Sequence, residues 1–263
     1  MAEKIVGVDL GDLRLDAKEA MLAAARLQFR AIEMPASEGE TSPRSLSTSG
    51  RRHLARFVEG LGLSLPALRA DFAQLRFTDP AALEERIERT CEILELAADL
   101  NVSIVTAASG ALTHPRTGVP SDLAIAALRR IGEFADSRDV VFALRPSHDP
   151  PDRLAAVLDA VRCPHIRLGL DPAALVMSGV NPMSPIGRFP DQFSLVHVRD
   201  ATAGSFDRPG SETSPGNGDV DWGSLFAALR GVDYAGPFIV RRIDAVDPAG
   251  ELVAARTFLN RHL

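Results

Sequence analysis

The feature that most constrains the fold is an alternation, repeated eight times, of a short apolar segment and a longer amphipathic one. The short segments have the length and the apolar character of buried strands, and the longer ones carry apolar residues at helical spacing. The predicted strands cover residues 4–10, 30–34, 65–71, 102–107, 140–144, 165–170, 193–198 and 237–240. Strands that alternate with helices in this way indicate a parallel sheet joined by right-handed crossovers.

Eight strand–helix units favour a closed barrel over an open sheet. In a barrel of eight strands the inward-facing side chains just fill the interior, and a chain of 263 residues has a usual size for this fold. Aromatic residues form only 5% of the sequence, which suits an interior packed with small and aliphatic side chains. We find no linker that would divide the chain. We therefore predict an α/β protein, a (β/α)₈ TIM barrel, with a single domain over residues 1–263.

Charge and motif content disfavour several classes of partner. The net charge of −6 argues against nucleic acid, because phosphate binding requires a basic surface. No apolar run reaches the length of a membrane span, and the N-terminus leads into the first strand without a signal peptide. Cys91 and Cys163 have neither metal-finger nor disulfide spacing, and we find no glycine-rich nucleotide-binding loop. We expect a cytoplasmic protein without nucleic-acid or membrane partners, whose oligomeric state stays open.

Polar residues stand at or near the predicted C-terminal ends of five strands. In (β/α)₈ barrels these ends form the face that carries the active site. The set consists of Glu33, Arg145, Asp171, His197, Asp200 and Arg241. We expect these side chains to meet around one pocket. The loop over residues 202–218 is rich in small residues, and we expect it either to cover this face or to be mobile.

Four segments in the second half of the chain carry motifs of one known family. Residues 196–201 (Val-His-Val-Arg-Asp-Ala) resemble a His-x-Lys-Asp motif, and residues 216–222 (Gly-Asn-Gly-Asp-Val-Asp-Trp) resemble a Gly-x-Gly-x-x-Asp-Trp motif. Residues 168–172 (Leu-Gly-Leu-Asp-Pro) and 233–237 (Asp-Tyr-Ala-Gly-Pro) are similar to the family's sixth strand and to its entry into the eighth. The chain thus resembles the xylose isomerase-like TIM-barrel superfamily, which includes sugar and sugar-phosphate isomerases and epimerases and the endonuclease IV group.

The resemblance implies a divalent metal at the barrel mouth, held by four side chains. In typical members these are a Glu ending strand five, an Asp ending strand six, a His on strand seven and a Glu ending strand eight. Asp171 and His197 stand at two of these positions, but Arg145 and Arg241 stand at the two glutamate positions. Ala174 stands where the family has a second histidine after strand six. The sequence therefore departs from the family at the implied metal site.

The two arginines argue against a metal ion. A Mg²⁺, Mn²⁺ or Co²⁺ site needs several carboxylate or imidazole ligands to replace the ion's water shell, and arginine does not lose its proton. We therefore expect no metal and no other cofactor. In one interpretation Arg145 and Arg241 fill the metal cavity and pair with Asp171, with Glu33 and Asp200 as further candidate partners. In the other they capture the carboxylate or phosphate of a ligand. The two interpretations are compatible if a ligand competes for the arginines.

Two functions follow from these alternatives. The first is a sugar or sugar-phosphate isomerase or epimerase that works without a metal, with His197 or Asp171 as the catalytic group that moves a proton. In that hypothesis the ligand-binding side chains are Arg145, Arg241, Asp200 and Glu33. The alternative is a catalytically inactive barrel that binds a small anionic metabolite or a partner protein. An endonuclease-IV-like activity is disfavoured, because it needs three zinc ions and most of the six histidines lie away from the strand ends.

Overall fold

The computed structural model describes residues 4–205 and 208–263. Eight of its strands form a closed parallel barrel: β1 Val6–Asp9, β2 Ala31–Pro35, β3 Ser64–Arg69, β4 Ile104–Ala108, β5 Val141–Arg145, β6 Ile166–Leu170, β7 Phe193–Val198 and β10 Phe238–Val240. Their order around the barrel is β1-β10-β7-β6-β5-β4-β3-β2, with β1 also paired to β2. The predicted (β/α)₈ TIM barrel is therefore confirmed.

Helices connect the strands and cover the outside of the barrel. They are α1 Ala17–Arg26, α2 Thr48–Gly60, α3 Leu83–Asp99, α4 Asp122–Ser137, α5 Pro151–Val161, α6 Pro172–Met177, α7 Ser184–Arg188, α8 Trp222–Gly231 and α9 Pro248–Asn260. Several begin at a side chain that accepts a hydrogen bond from a first-turn N–H, such as Asp16, Ser121 and Asp247. Within the described residues, no helix combines the length and the apolar character that a bilayer span needs.

Two connections differ from the sequence prediction. The sequence Thr-Asp-Pro-Ala at residues 78–81 predicts the start of a helix, but α3 begins at Leu83. The Asp79 carboxylate accepts a hydrogen bond from the Ala81 N–H and holds a local turn instead. After β7 the chain forms a short antiparallel hairpin, β8 Asp200–Thr202 with β9 Ser211–Thr213, where the sequence predicted only a loop. The middle of that predicted loop, residues 206–207, lies outside the described residues.

Side chains inside the barrel form two layers of opposite character. Five small or aliphatic residues that are almost fully buried pack together in the lower layer: Ala67, Ile104, Ala143, Leu195 and Ile239. Because side chains alternate along a strand, the residues two positions after these five also face inward, as do the residues two positions after Gly7, Ala31 and Gly169 on the other three strands. All eight of these later residues are polar, and we call them the polar layer: Asp9, Glu33, Arg69, Thr106, Arg145, Asp171, His197 and Arg241. The polar layer therefore closes the C-terminal end of the barrel.

Candidate functional site at the barrel mouth

The centre of the polar layer is a buried histidine–carboxylate pair. His197 Nε2 lies 2.6 Å from Glu33 Oε2, and both side chains are fully buried. Thr106 Oγ1 donates to the other oxygen of Glu33 at 2.5 Å. Burial alone would raise the pKa of Glu33, but the adjacent His197 lowers it below its ordinary value. The sequence named Glu33 and His197 separately, and the structure brings them into direct contact.

Asp171 lies on the other side of His197 from Glu33 and contacts groups at the ends of neighbouring strands. Its Oδ2 lies 3.8 Å from His197 Nδ1, an atom without a hydrogen-bond partner. The same oxygen accepts a hydrogen bond of 2.8 Å from Arg199 Nη1, and Oδ1 caps α6 through the N–H of Ala174. Burial alone would raise the pKa of Asp171, but Arg199, His197 and Arg145 hold it well below the ordinary range. Asp171 is thus an ionised carboxylate in contact with several positive or polar groups.

Arg145 is held mainly by a carboxylate that the sequence analysis did not assign to it. Its Nη2 donates to both oxygens of Asp71, at 2.5 and 2.6 Å, whereas its Nη1 lies 3.9 Å from Asp171 Oδ2. Burial opposes ionisation of Asp71, but Arg145 and Arg69 lower its pKa far below the ordinary value. A Cβ at Gly169 would lie 2.8 Å from Arg145 Cγ, so glycine in β6 leaves the space that the arginine stem occupies.

Arg241 has a different partner from the one expected. Its Nε and Nη2 donate to the two oxygens of Asp12 at 3.1 and 3.0 Å, and its Nε lies 3.7 Å from Asp9 Oδ2. The predicted pairing of Arg241 with Asp171 was therefore wrong, since Asp12 lies in the turn directly after β1 and reaches Arg241 first. Burial alone would lower the pKa of Arg241, but Asp9 and Asp12 raise it well above the ordinary value.

Asp200 faces the loop that follows it. Its two carboxylate oxygens accept hydrogen bonds from the backbone N–H groups of Ala201, Gly216, Gly218 and Val220 and from the indole N–H of Trp222. The side chain is fully buried. This geometry gives Asp200 a structural role, because it ties the motif at residues 216–222 to the end of β7. Contact of Asp200 with a ligand stays a prediction.

A line of alternating charges leads from the polar layer to the surface. Arg199 bridges Asp171 and Glu212, with 2.8 Å from its Nε to Glu212 Oε1. Arg242 Nη1 lies 3.2 Å from Glu212 Oε2, and its Nε donates to Glu251 at 2.9 Å. Sequence reasoning assigned no site role to Arg199, Glu212 or Arg242. Glu212 lies in the hairpin that the sequence did not predict, so no local pattern pointed to these pairs.

The donor set at the mouth does not fit a divalent metal. Asp171 and His197 lie within reach of one another, but guanidinium groups of Arg199 and Arg145 approach the same Asp171 oxygen. A cation there would meet positive charge on two sides. Across the residues that the structure describes, no group of three or more His, Cys, Asp or Glu side chains is arranged to hold a metal ion.

Comparison with known proteins places this geometry in context. The profile of the xylose isomerase-like TIM barrel family matches residues 21–262. A xylose isomerase domain protein from Planctomyces limnophilus superposes with a TM-score of 0.86 at 17% identity, covering 98% of this chain and 96% of the other. A D-tagatose 3-epimerase-like protein gives a TM-score of 0.81 at 16% identity, covering 98% and 96%.

A third structure was solved with a sugar. D-allulose 3-epimerase from Methylomonas sp. in complex with D-allulose gives a TM-score of 0.75 at 19% identity, covering 99% of this chain and 97% of the other. At these identities the solved structures support the fold alone. No curated protein sequence matches the chain significantly.

Proposed function

Because the chain belongs to the xylose isomerase-like TIM barrel family, we propose that it is a member in which internal ion pairs replace the divalent-metal centre. We propose further that it binds a small anionic metabolite and does not act as a metal-dependent isomerase. The observation that carries the replacement of the metal centre is the pairing of Arg145 with Asp71 and of Arg241 with Asp12. At the two positions where the resemblance implies glutamates, this chain has cations already neutralised by its own carboxylates.

Charge balance in the polar layer supports the same conclusion. The layer contains three carboxylates, Asp9, Glu33 and Asp171, and three guanidiniums, Arg69, Arg145 and Arg241. Buried charges are tolerated when each has a partner of opposite sign. Here Asp9, Asp171 and the three guanidiniums each have a partner of opposite sign within this chain, and Glu33 contacts His197 at 2.6 Å. An added divalent ion would disturb a balance that already exists, whereas a site built from carboxylates alone would require the ion.

Calorimetric titration of Mn²⁺ and Co²⁺ into chelator-treated protein tests this proposal directly. We expect no heat of binding at micromolar metal, because two donors facing two guanidiniums cannot replace the ion's water shell. A single site with micromolar affinity would overturn the proposal and would make a metal-dependent isomerase the leading function.

Restoring the implied ligands provides the reciprocal test. In the double variant Arg145→Glu with Arg241→Glu, Mn²⁺ is expected to raise the melting temperature, because carboxylates then surround Asp171 and His197. The matched control is Arg145→Gln with Arg241→Gln, which removes the same charges and adds no ligand. Equal responses of the two double variants to Mn²⁺ would contradict the placement of these residues at the family's metal positions.

A second candidate function is isomerisation or epimerisation of a sugar or sugar phosphate without a metal. The contact of 2.6 Å between His197 and Glu33, with Nδ1 of His197 lacking a hydrogen-bond partner, favours it. Such a histidine can hold or move a proton, and Arg145 or Arg241 would hold a developing oxyanion. Turnover of ketoses or sugar acids in the presence of chelator, lost in His197→Ala, would establish this function. Absence of turnover across the panel would leave the binding function.

A further inference from the structure

A buried arginine beside the polar layer lacks the carboxylate partners that Arg145 and Arg241 have. Arg86 is the fourth residue of α3, and its side chain is only 1% exposed. Its guanidinium carbon lies 4.7 Å from the ring centroid of Phe72 and 4.5 Å from that of Phe77. The Nε and Nη2 atoms of Arg86 are buried and have no hydrogen-bond partner. Two strong hydrogen-bond donors of Arg86 therefore lie unpaired next to two aromatic rings.

The surroundings of Arg86 contain more positive than negative charge. The charge of Asp71 acts to raise the pKa of Arg86, but Asp71 already accepts hydrogen bonds from Arg145 and Arg69. Burial lowers the pKa of Arg86 to about 10, and the positive charges of Arg145 and Arg89 act in the same direction. Leaving guanidinium donors buried and unpaired is unfavourable. An incoming anion would correct both the missing hydrogen bonds and the charge excess.

The segment that covers Arg86 is attached to the protein by few backbone hydrogen bonds. This cover, residues 71–82, connects β3 to α3. The backbone hydrogen bonds donated by its residues Asp79, Ala81 and Ala82 all end within the segment itself. Phe72 and Phe77 fix it through their rings, and the Asp71 side chain is 27% exposed. Phe77 is 1% exposed and packs edge-on against Phe142, so it anchors the cover, and the partly exposed Asp71 marks where solvent reaches the site.

We propose that Arg86, together with Arg145, binds the phosphate or carboxylate group of a small metabolite beneath the cover at residues 71–82. The proposal deepens the proposed function and rests on it, since it names where the anionic ligand binds. The fork of a guanidinium matches the two oxygens of either group. The bound anion occupies the donors Nε and Nη2 of Arg86 and competes with Asp71 for Arg145.

Calorimetry and thermal melting with inorganic phosphate and, separately, with malonate test the proposal. Wild-type protein is expected to bind at least one of the two anions and to melt at higher temperature as its concentration rises. Phosphate alone, malonate alone or both would identify the preferred group. In Arg86→Met we expect the dissociation constant to rise about tenfold or more, because charge-assisted hydrogen bonds are lost.

Arg89→Met is the matched control. Arg89 contacts the same Phe72 ring, at 4.5 Å, but its guanidinium already donates to the Ser37 carbonyl and to Glu85. This variant is expected to bind the anion more tightly than Arg86→Met does, because it keeps both unpaired donors of Arg86. Equal anion affinity in wild type and Arg86→Met would overturn the proposal, and so would the absence of binding by wild type.

If Arg86→Met does not fold, Arg86→Lys keeps the charge and removes the fork. It is expected to bind more weakly than wild type, and unchanged affinity would overturn the proposal. None of these titrations contains metal or sugar. The anion site can therefore fail while the metal titration still supports a metal-free barrel, and a metal site can be found while anion binding persists.

Discussion

Two buried arginines at the same end of the barrel differ in how their hydrogen-bond donors are satisfied. Arg241 is 3% exposed and Arg86 is 1% exposed, so that both have lost almost all contact with water. Arg241 donates to both oxygens of Asp12, whereas two nitrogens of Arg86 have no acceptor. Burial raises the free energy of both cations, but only the first is compensated inside the chain. This difference underlies our proposal that Arg86 binds an anion, whereas Arg241 is already held by Asp12.

Removing the acceptor of Arg241 should make its surroundings like those of Arg86. Asp12→Ala leaves Arg241 buried with only the more distant Asp9, and we expect the free energy of unfolding to fall by about 3–5 kcal/mol. Urea denaturation measures this change. Asp244→Ala, an exposed carboxylate on the loop after β10, is the control and should change stability by less than about 0.5 kcal/mol. A comparable loss in both variants would remove the distinction between the two arginines.

Acid should weaken the paired side of the mouth through its carboxylates. The pKa values of Glu33, Asp71 and Asp171 are lowered in the folded chain from ordinary values of 4.5, 3.8 and 3.8. The unfolded chain therefore binds protons first, and the stability that these groups contribute above pH 4.5 is lost as the pH falls toward their folded values. Each contributes a slope of at most about 1.4 kcal/mol per pH unit.

Urea denaturation at pH 7, 5, 4 and 3 measures that slope. Glu33→Gln removes one of the three groups, so its profile should be shallower than that of wild type whatever its stability at pH 7. If the free energy of unfolding of wild type stays constant from pH 5 to pH 3, the charges of these three carboxylates do not stabilise the folded chain.

Replacing Arg86 should have the smallest effect on stability. Arg86→Met loses contacts with two aromatic rings, worth about 0.5–2 kcal/mol, and gains about 1–3 kcal/mol because unpaired buried donors disappear. We expect the free energy of unfolding to stay within about 1 kcal/mol of wild type or to increase. A loss as large as that of Asp12→Ala in the same urea experiment would mean that Arg86 is a structural residue like Arg241.

The sequence predicted the fold because the fold depends on local patterns. Apolar runs bounded by caps and turns located every barrel strand to within a few residues. The errors fell where side chains compete with the backbone, as at Asp79, or where strands are only three residues long, as in β8 and β9. A three-residue strand with partly exposed side chains has no alternation long enough to recognise.

The sequence predicted which residues form the site, but it predicted only some of the contacts between them. The sequence named Glu33, Asp171 and His197 because strand ends converge in a barrel, and the structure brings these three together. It did not predict that Arg241 binds Asp12, because the two are separated by 229 residues and both lie beyond the ends of strands. Arg86 gave no signal at all, since an arginine on an amphipathic helix is ordinarily a solvated residue.

The contacts of Arg145 limit the order in which such a centre can change during evolution. Arg145 faces Asp71 at hydrogen-bond distance and Asp171 at 3.9 Å. A lone Arg145→Glu replacement would put a third carboxylate beside Asp71 and Asp171, and would leave Arg69 and Arg199 to balance all three. The order of mutations that would convert a metal-binding mouth into an arginine-containing one, or the reverse, therefore matters. The tolerated orders replace Asp71 before Arg145, or supply the metal ion when Arg145 is replaced. Position 71 should act as the permissive site in any mutational path through this barrel.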